Sequence, residues 1–544
     1  MMNSVVLIFS LSLLFTGVFH EYLSCILSSV LLGWLFFKVK QSKKMIVKKS
    51  MTSIAIGILC LFYGISALWA VDFGMAIVGF FKFLPIGLFL LCLMQEEESA
   101  DKMKKLLPYL ASGMTIVSLA GMYIPKIAFR FSVAGRLAGF FEYPNTFALF
   151  LLVSELLLLS KENKKNYDYL MFIVLGVGIL FTGSRTAFVL AIAANLLLAV
   201  LLKGKKAFGL CLRGCILAGV ILTFNQELLQ RFLTISTSES TFVGRLLYFQ
   251  DALPVILRKP LGTGFLGHYF MQQSIQTGVY SVRYLHNDFL QILIDIGWIP
   301  FLLMVIAVIK TMCNKKRSLG DKVILGVMIL HSSFDFNLQF ISMFCLLVLF
   351  LDWQEGKTII LQKSAKRMQA GFVVAAVLSV YMAVGLICMR AGDYKLANHL
   401  QPWNTENNIM LLTQTDDVDE MAELAQKIIN KNEYVTLAYS ALAKQAYSQG
   451  DFGQVIQYKN HIFEIAPFQY EEYEDYCYML VNGYSLYKEA GDMQSAQICK
   501  EEIFNTKNRL DNLDERLSER GRKIKDQPVQ ELPEELEMYI QRME

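Results

Sequence analysis

The chain has 544 residues, 54% of them hydrophobic and 18% charged, with a mean hydropathy of +0.42 and a formal net charge of +4. That composition is too apolar for a soluble chain of this length. The charge is split: residues 391–544 hold 15 Lys and Arg against 28 Asp and Glu (net −13), and residues 1–390 hold 36 against 19 (net +17), so neither part reads as a nucleic-acid binder.

Crossing the hydrocarbon core takes about 20 apolar residues, and the sequence predicts an all-α, polytopic bundle of twelve or thirteen spans. They are placed near 4–19, 21–37, 51–70, 75–95, 106–125, 145–160, 168–183, 186–202, 207–224, 287–310, 323–337, 338–353 and 370–389. Lys-rich gaps fall at 38–49, 102–105, 161–165, 203–206, 315–322 and 357–367, each two apolar segments from the next. Translocating Lys and Arg during insertion is costly, so these gaps are expected in the cytoplasm, the N-terminus inside and the C-terminus outside. The basic half then faces cytoplasm and anionic lipid. No small-residue cleavage site precedes Glu21, so the first span is expected to be a signal anchor. Most of the ten cysteines fall in or beside spans and read as small apolar residues, whereas Cys477 and Cys499 reach the outside, where a disulfide is possible but not implied.

The longest external segment is 225–285. Within it, 242–257 has helical spacing and carries Arg245 near its start, and the loop is expected to be a mobile lid. After Arg390 a Gly-Asp pair recurs at Gly392, Gly450 and Gly491 with apolar residues following at helical spacing. This pattern resembles degenerate tetratricopeptide repeats, although the last two pairs are 41 residues apart where the standard repeat is about 34. A plain helical bundle fits the same turns. In either case the sequence predicts two domains, a membrane domain at 1–390 and an extracytoplasmic helical module at 391–544 that is a candidate surface for a protein partner.

On this topology the outer face collects Arg130, Arg136, Arg185, Arg231, Arg245, Arg258, Arg283, His286 and His331, whereas the cytoplasmic loops favour Lys. A guanidinium grips phosphate oxygens through paired hydrogen bonds where an ammonium offers a point charge, so a phosphate or pyrophosphate ligand is implied. Arg side chains also snorkel to headgroups, the simpler reading for Arg130, Arg231, Arg258 and Arg283. Lys82 lies inside the fourth span, where a charge costs roughly 2.5–3.5 kcal/mol. It either snorkels outward or touches a carrier phosphate.

Several stretches, taken together, resemble one family. His286-Asn287 followed by Gly297 is similar to the signature closing the large external loop of the bacterial O-antigen ligase and polymerase superfamily. Arg136 to Asn145, Gly183-Ser-Arg185, and Gly244-Arg245 followed by Gly262-Thr-Gly264 come in that family's order, and His331 with Asp335 and Asn337 resembles a late helix of its branch with tetratricopeptide-like tails. Pro300 departs from the signature, which has Gly, Thr or Tyr there.

The resemblance implies a GT-C-like membrane glycosyltransferase in the bacterial cytoplasmic membrane. It would transfer a glycan from an undecaprenyl-pyrophosphate carrier to a hydroxyl acceptor at the outer face, with no metal or cofactor. His286 would be catalytic, activating the acceptor hydroxyl. Arg185, Arg245 and Arg136 would hold the donor pyrophosphate, and Asn287, Asn145, His331, Asp335 and Lys82 would support the site. The acceptor stays open among a lipid, a growing glycan and a protein. Outside the enzyme class, a lipid-linked glycan transporter or scaffold remains the alternative.

Overall fold

The computed structural model describes residues 4–201, 209, 214, 218–223, 225–233, 240–362, 365–524 and 531–543. Among them the structure is helical apart from two small two-stranded sheets, and the protein is an all-α membrane protein. Helices Glu21–Ser42, Met51–Leu68, Phe73–Gln95 and Ala365–Arg390 are long and apolar enough to cross a bilayer, while Ser4–Leu14, Pro144–Ser160, Asn166–Thr182, Arg185–Leu201, Trp298–Cys313 and Ile341–Phe350 are apolar but shorter.

The departures from the expected spans have local causes. Segment 287–310 is two helices, because Asp288–Ile296 ends at Gly297 and Trp298–Cys313 starts anew. Segment 338–353 contracts to the 3-10 turn Asn337–Gln339 and the ten-residue helix Ile341–Phe350. The segments expected at 106–125 and 323–337 belong to Glu98–Met122 and Leu319–Ser332, whose first turns carry Glu98, Asp101 and Asp321. The span expected at 207–224 lies largely outside the described residues.

The chain packs into two compact units. The first comprises Met1–Ile65, Ile77–Ser236 and Tyr284–Ile387. Pro144–Ser160 is its central helix, buried along nearly its whole length against Glu98–Met122, Asn166–Thr182, Arg185–Leu201 and Leu319–Ser332. In lipid the apolar surface gives helices little reason to associate, so close contact has to supply the cohesion. Gly178 shows this, since a Cβ there would lie 2.7 Å from both Leu151 and Thr115 side chains. The first sheet pairs Met45–Lys49 antiparallel with Lys357–Leu361, Met45 facing Leu361. Gln95 ties into it from the side, accepting from Ile46 N at 2.9 Å and donating to Ile46 O at 2.8 Å.

The second unit comprises Ser66–Ala76, Thr237–Arg283 and Cys388–Glu544. This grouping differs from a boundary at residue 390, because the external loop packs with the C-terminal helices. The loop holds Ser240–Arg258, close to the predicted helix, and Gly267–Ile275. Trp69 Nε1 donates to Leu261 O at 3.0 Å and Val71 N to Thr263 O at 2.8 Å, anchoring the loop to the 66–76 segment.

The C-terminal helices follow one another as antiparallel hairpins, among them Val418–Ile429 with Thr436–Ser448 and Tyr470–Glu489 with Met493–Asp511. Each Gly-Asp pair is a helix boundary. Gly392, Gly450 and Gly491 take left-handed backbone (φ 84, 74 and 77), which glycine alone adopts without penalty. The following Asp393, Asp451 and Asp492 cap the next helix by accepting from Leu396, Gln454 and Ser495 N–H. Cys477 and Cys499 are both free thiols, buried in the core of this module with Phe452, Tyr476 and Ile503.

His268, in the loop helix Gly267–Ile275, is 1% exposed, and neither ring nitrogen has a hydrogen-bond partner. Burial disfavours the imidazolium and lowers its pKa to about 4. Below pH 6.5 the unfolded chain takes up this proton while the folded protein does not, so stability falls as pH drops from 6.5 toward 4, by about 3 kcal/mol for this group alone. His268→Leu is expected to flatten that part of the profile, as measured by thermal unfolding in detergent at stepped pH. Parallel profiles for the two proteins would contradict it.

Candidate active site

The site is assembled from four parts of the first unit. Residues 132–137 form a tight hairpin, Ser132–Val133 pairing with Arg136–Leu137 across Ala134 and Gly135, both at positive φ as a type I′ turn requires. This aims Arg136 at the end of helix Asn166–Thr182. Its Nε donates to Thr182 O at 2.8 Å and its Nη2 to Asn145 Oδ1 at 2.6 Å.

Helix Asn166–Thr182 ends at Gly183 in left-handed backbone (φ 58). There is no room for a side chain at that position: a Cβ would lie 2.9 Å from Arg231 Nε and 3.5 Å from Arg136 Nε. Arg231 Nε donates to Gly183 O at 2.8 Å, and Arg185 Nε donates to Arg231 O at 3.0 Å. Two guanidinium side chains, Arg136 and Arg231, therefore meet at this turn, and Arg185 is tied to it through the Arg231 backbone. Guanidinium groups brought to one turn offer paired donors of the kind that suit a phosphate oxygen.

On the other side, Asn145 Nδ2 donates to Asp335 Oδ2 at 2.6 Å, and Tyr143 OH donates to Asp335 Oδ1 at 2.9 Å. Asp335 is 2% exposed, so this carboxylate depends on such donors. His286 Nδ1 lies 3.4 Å from Asp335 Oδ1, and its ring meets Phe336 edge-on at 5.0 Å between centroids. A carboxylate beside Nδ1 favours the tautomer that carries its proton on that nitrogen. His286 is thus linked through Asp335, Asn145 and Arg136 to the arginine cluster.

The other predicted residues have different surroundings. Asn287 caps helix Asp288–Ile296, its side chain accepting from Phe289 and Leu290 N–H. His331 Nδ1 accepts from Asn337 Nδ2 at 3.0 Å, and Asn337 accepts from Thr146, so His331 ties two helices together. Lys82 does not snorkel outward. It is fully buried and donates to Glu21 Oε1 at 3.0 Å, Phe19 O at 2.9 Å and Tyr284 OH at 3.1 Å. The carboxylate of Glu21 answers the cost of its charge. Arg245 stands near the start of Ser240–Arg258, as predicted, in the second unit. Arg283 is in the second unit too and pairs through both guanidinium ends with Glu406, the second contact at 3.2 Å, in place of snorkelling.

Arg231, for which the sequence favours snorkelling, instead bonds into the turn at Gly183. Its partner is a backbone carbonyl 48 positions away, for which no residue type gives a signal. Tyr143 is likewise found only through Asp335.

A family model described as O-Antigen ligase matches residues 170–305. Over residues 170–305 the chain is similar to O-antigen ligases. The matched segment covers about a quarter of the chain. It includes Gly183, Arg185, Arg231, Arg245 and His286, and it leaves Arg136, Asn145 and Asp335 outside, so their inclusion rests on geometry. No curated protein and no solved structure matches the chain. The family supports a role with lipid-linked glycans in polysaccharide biosynthesis. The matched segment thus supplies His286, Arg185 and Arg231, and the hairpin before it supplies Arg136.

Proposed function

We propose that this protein transfers a glycan from undecaprenyl pyrophosphate to a hydroxyl acceptor at the outer face of the bacterial cytoplasmic membrane, with its N-terminus in the cytoplasm and its C-terminal module outside. The observation that carries this reading is the run of polar contacts from His286, 3.4 Å from Asp335, through Asn145 to Arg136, which meets Arg231 and then Arg185 through the backbone at Thr182, Gly183 and Arg231. A base and an anion site share one scaffold. The acceptor oxygen attacks the anomeric carbon, the bond from that carbon to the pyrophosphate oxygen breaks, and the acceptor proton passes to His286 Nε2. The departing lipid pyrophosphate gains negative charge, which guanidinium groups fixed in a site of low dielectric stabilise without having to reorganise. Arg245 joins them on the strength of its motif. The acceptor class, whether lipid, glycan or protein, is left open by these roles, because all three present the same hydroxyl.

The test is transfer by the full-length protein in proteoliposomes, read as release of the lipid pyrophosphate and glycosylation of the acceptor. Arg185→Ala is expected to lower kcat/KM by about 10²-fold, and Arg185→Lys to recover only part of it because an ammonium lacks the paired donors. Unaltered transfer by Arg185→Ala would remove the anion site from the mechanism.

A further inference from the structure

The segment leading into His286 is held at four points, each by another part of the second unit. Thr277 N and Oγ1 donate to Asp251 at 2.9 and 2.8 Å, and Tyr280 OH donates to the same carboxylate at 3.1 Å. Asp251 is 4% exposed and belongs to the loop helix Ser240–Arg258. Val282 N donates to Gln272 Oε1 at 2.9 Å. The remaining two holds come from the C-terminal module. Ser518 N donates to Thr277 O at 2.9 Å, with Gly521 so close that a Cβ on it would lie 2.1 Å from that same oxygen. Arg283, three residues before His286, forms its double contact with Glu406, which sits in the first turn of the C-terminal helix Thr405–Leu412. Arg283 also lies over the ring of Tyr269 at 5.8 Å, which restricts the guanidinium to one plane.

From these contacts we infer that the C-terminal helical module is a positioning element of the transferase: Glu406, through Arg283, and Ser518 with Gly521, through Thr277, hold the segment that runs directly into His286. The inference rests on the reading of His286 as the proton acceptor. A module that only recruited partners would have no need to grip this segment twice, with a charge-assisted bidentate pair and a glycine-backed backbone bond. Paired, planar contacts of the Arg–carboxylate kind fix geometry as well as affinity. A catalytic base displaced by about 1 Å loses on the order of 10²-fold in rate even where nothing near the reacting atoms has changed.

The experiment uses the full-length protein and two readouts. Hydrogen exchange of the peptide spanning 276–286 reports on the grip without reference to activity, and steady-state transfer reports on its consequence. Glu406→Ala is expected to raise exchange in that peptide at least tenfold and to lower kcat about tenfold, with the donor KM little changed. Gly521→Val is expected to do the same from the other contact. The exchanged pair Arg283→Glu with Glu406→Arg is expected to restore both readouts, which a general loss of folding would not allow. Unchanged exchange in both single variants would overturn the inference. Raised exchange with unaltered kcat would show that the grip exists but positions nothing, and would overturn it equally. Loss of activity in His286 variants is a separate measurement, so failure of the proposed function is distinguishable from failure of the positioning role.

Discussion

His286→Ala is expected to abolish most transfer, lowering kcat by about 10²–10⁴-fold, the usual contribution of a placed acid or base. The donor KM should stay within a few-fold, since the groups proposed to bind pyrophosphate are arginines. The ring sits beside Asp335 at 3.4 Å, and Asp335 in turn holds Asn145 and Tyr143. Removing the imidazole takes away a proton acceptor and leaves that carboxylate its other donors, so the variant should fold. Asp335→Asn is the companion measurement. It removes the negative charge beside His286 Nδ1, and a fall in kcat of comparable size with normal thermal stability is expected. Transfer at the parental rate in His286→Ala would end the base assignment.

The largest effect on stability is expected at Lys82. Its ammonium is fully buried and makes three hydrogen bonds, one of them to Glu21, whose side chain is 18% exposed. Lys82→Met keeps the volume but takes the cation away from a largely buried carboxylate, and breaking such a pair on one side typically costs about 3–5 kcal/mol. The partial exposure of Glu21 sets the expectation at the lower end, about 3 kcal/mol. Pairing Lys82→Met with Glu21→Gln removes both charges and should recover a good part of the loss. Thermal unfolding of the three proteins in one detergent gives the comparison. A single variant as stable as the parent would mean that the pair contributes nothing.

Much of this was legible from residue type. The run of apolar segments, the glycine and aspartate at each hairpin of the C-terminal module, and the polar residues Arg136, Asn145, Arg185, His286 and Asp335 all have chemistry that shows in a one-dimensional pattern. What could not be read there are pairings between distant positions. Nothing near Lys82 announces Glu21, nothing near Arg283 announces Glu406, and Arg231 bonds to a carbonyl that every residue possesses. Continuous hydrophobicity also conceals interruptions. The stretch 287–310 is predominantly apolar, yet Gly297 divides it, and the short first half presents His286 and its capping Asn287 at a helix start.

The pairing of Met45–Lys49 with Lys357–Leu361 has a consequence for biogenesis. Its two strands lie more than 300 positions apart, so a nascent polypeptide cannot close this seam until the ribosome has passed residue 361. Contacts of such sequence separation form late, after the loop-closure entropy has been met. The early membrane helices must therefore wait, partly assembled, for the final ones to arrive, and truncations before residue 357 should be preferred targets of quality-control proteolysis.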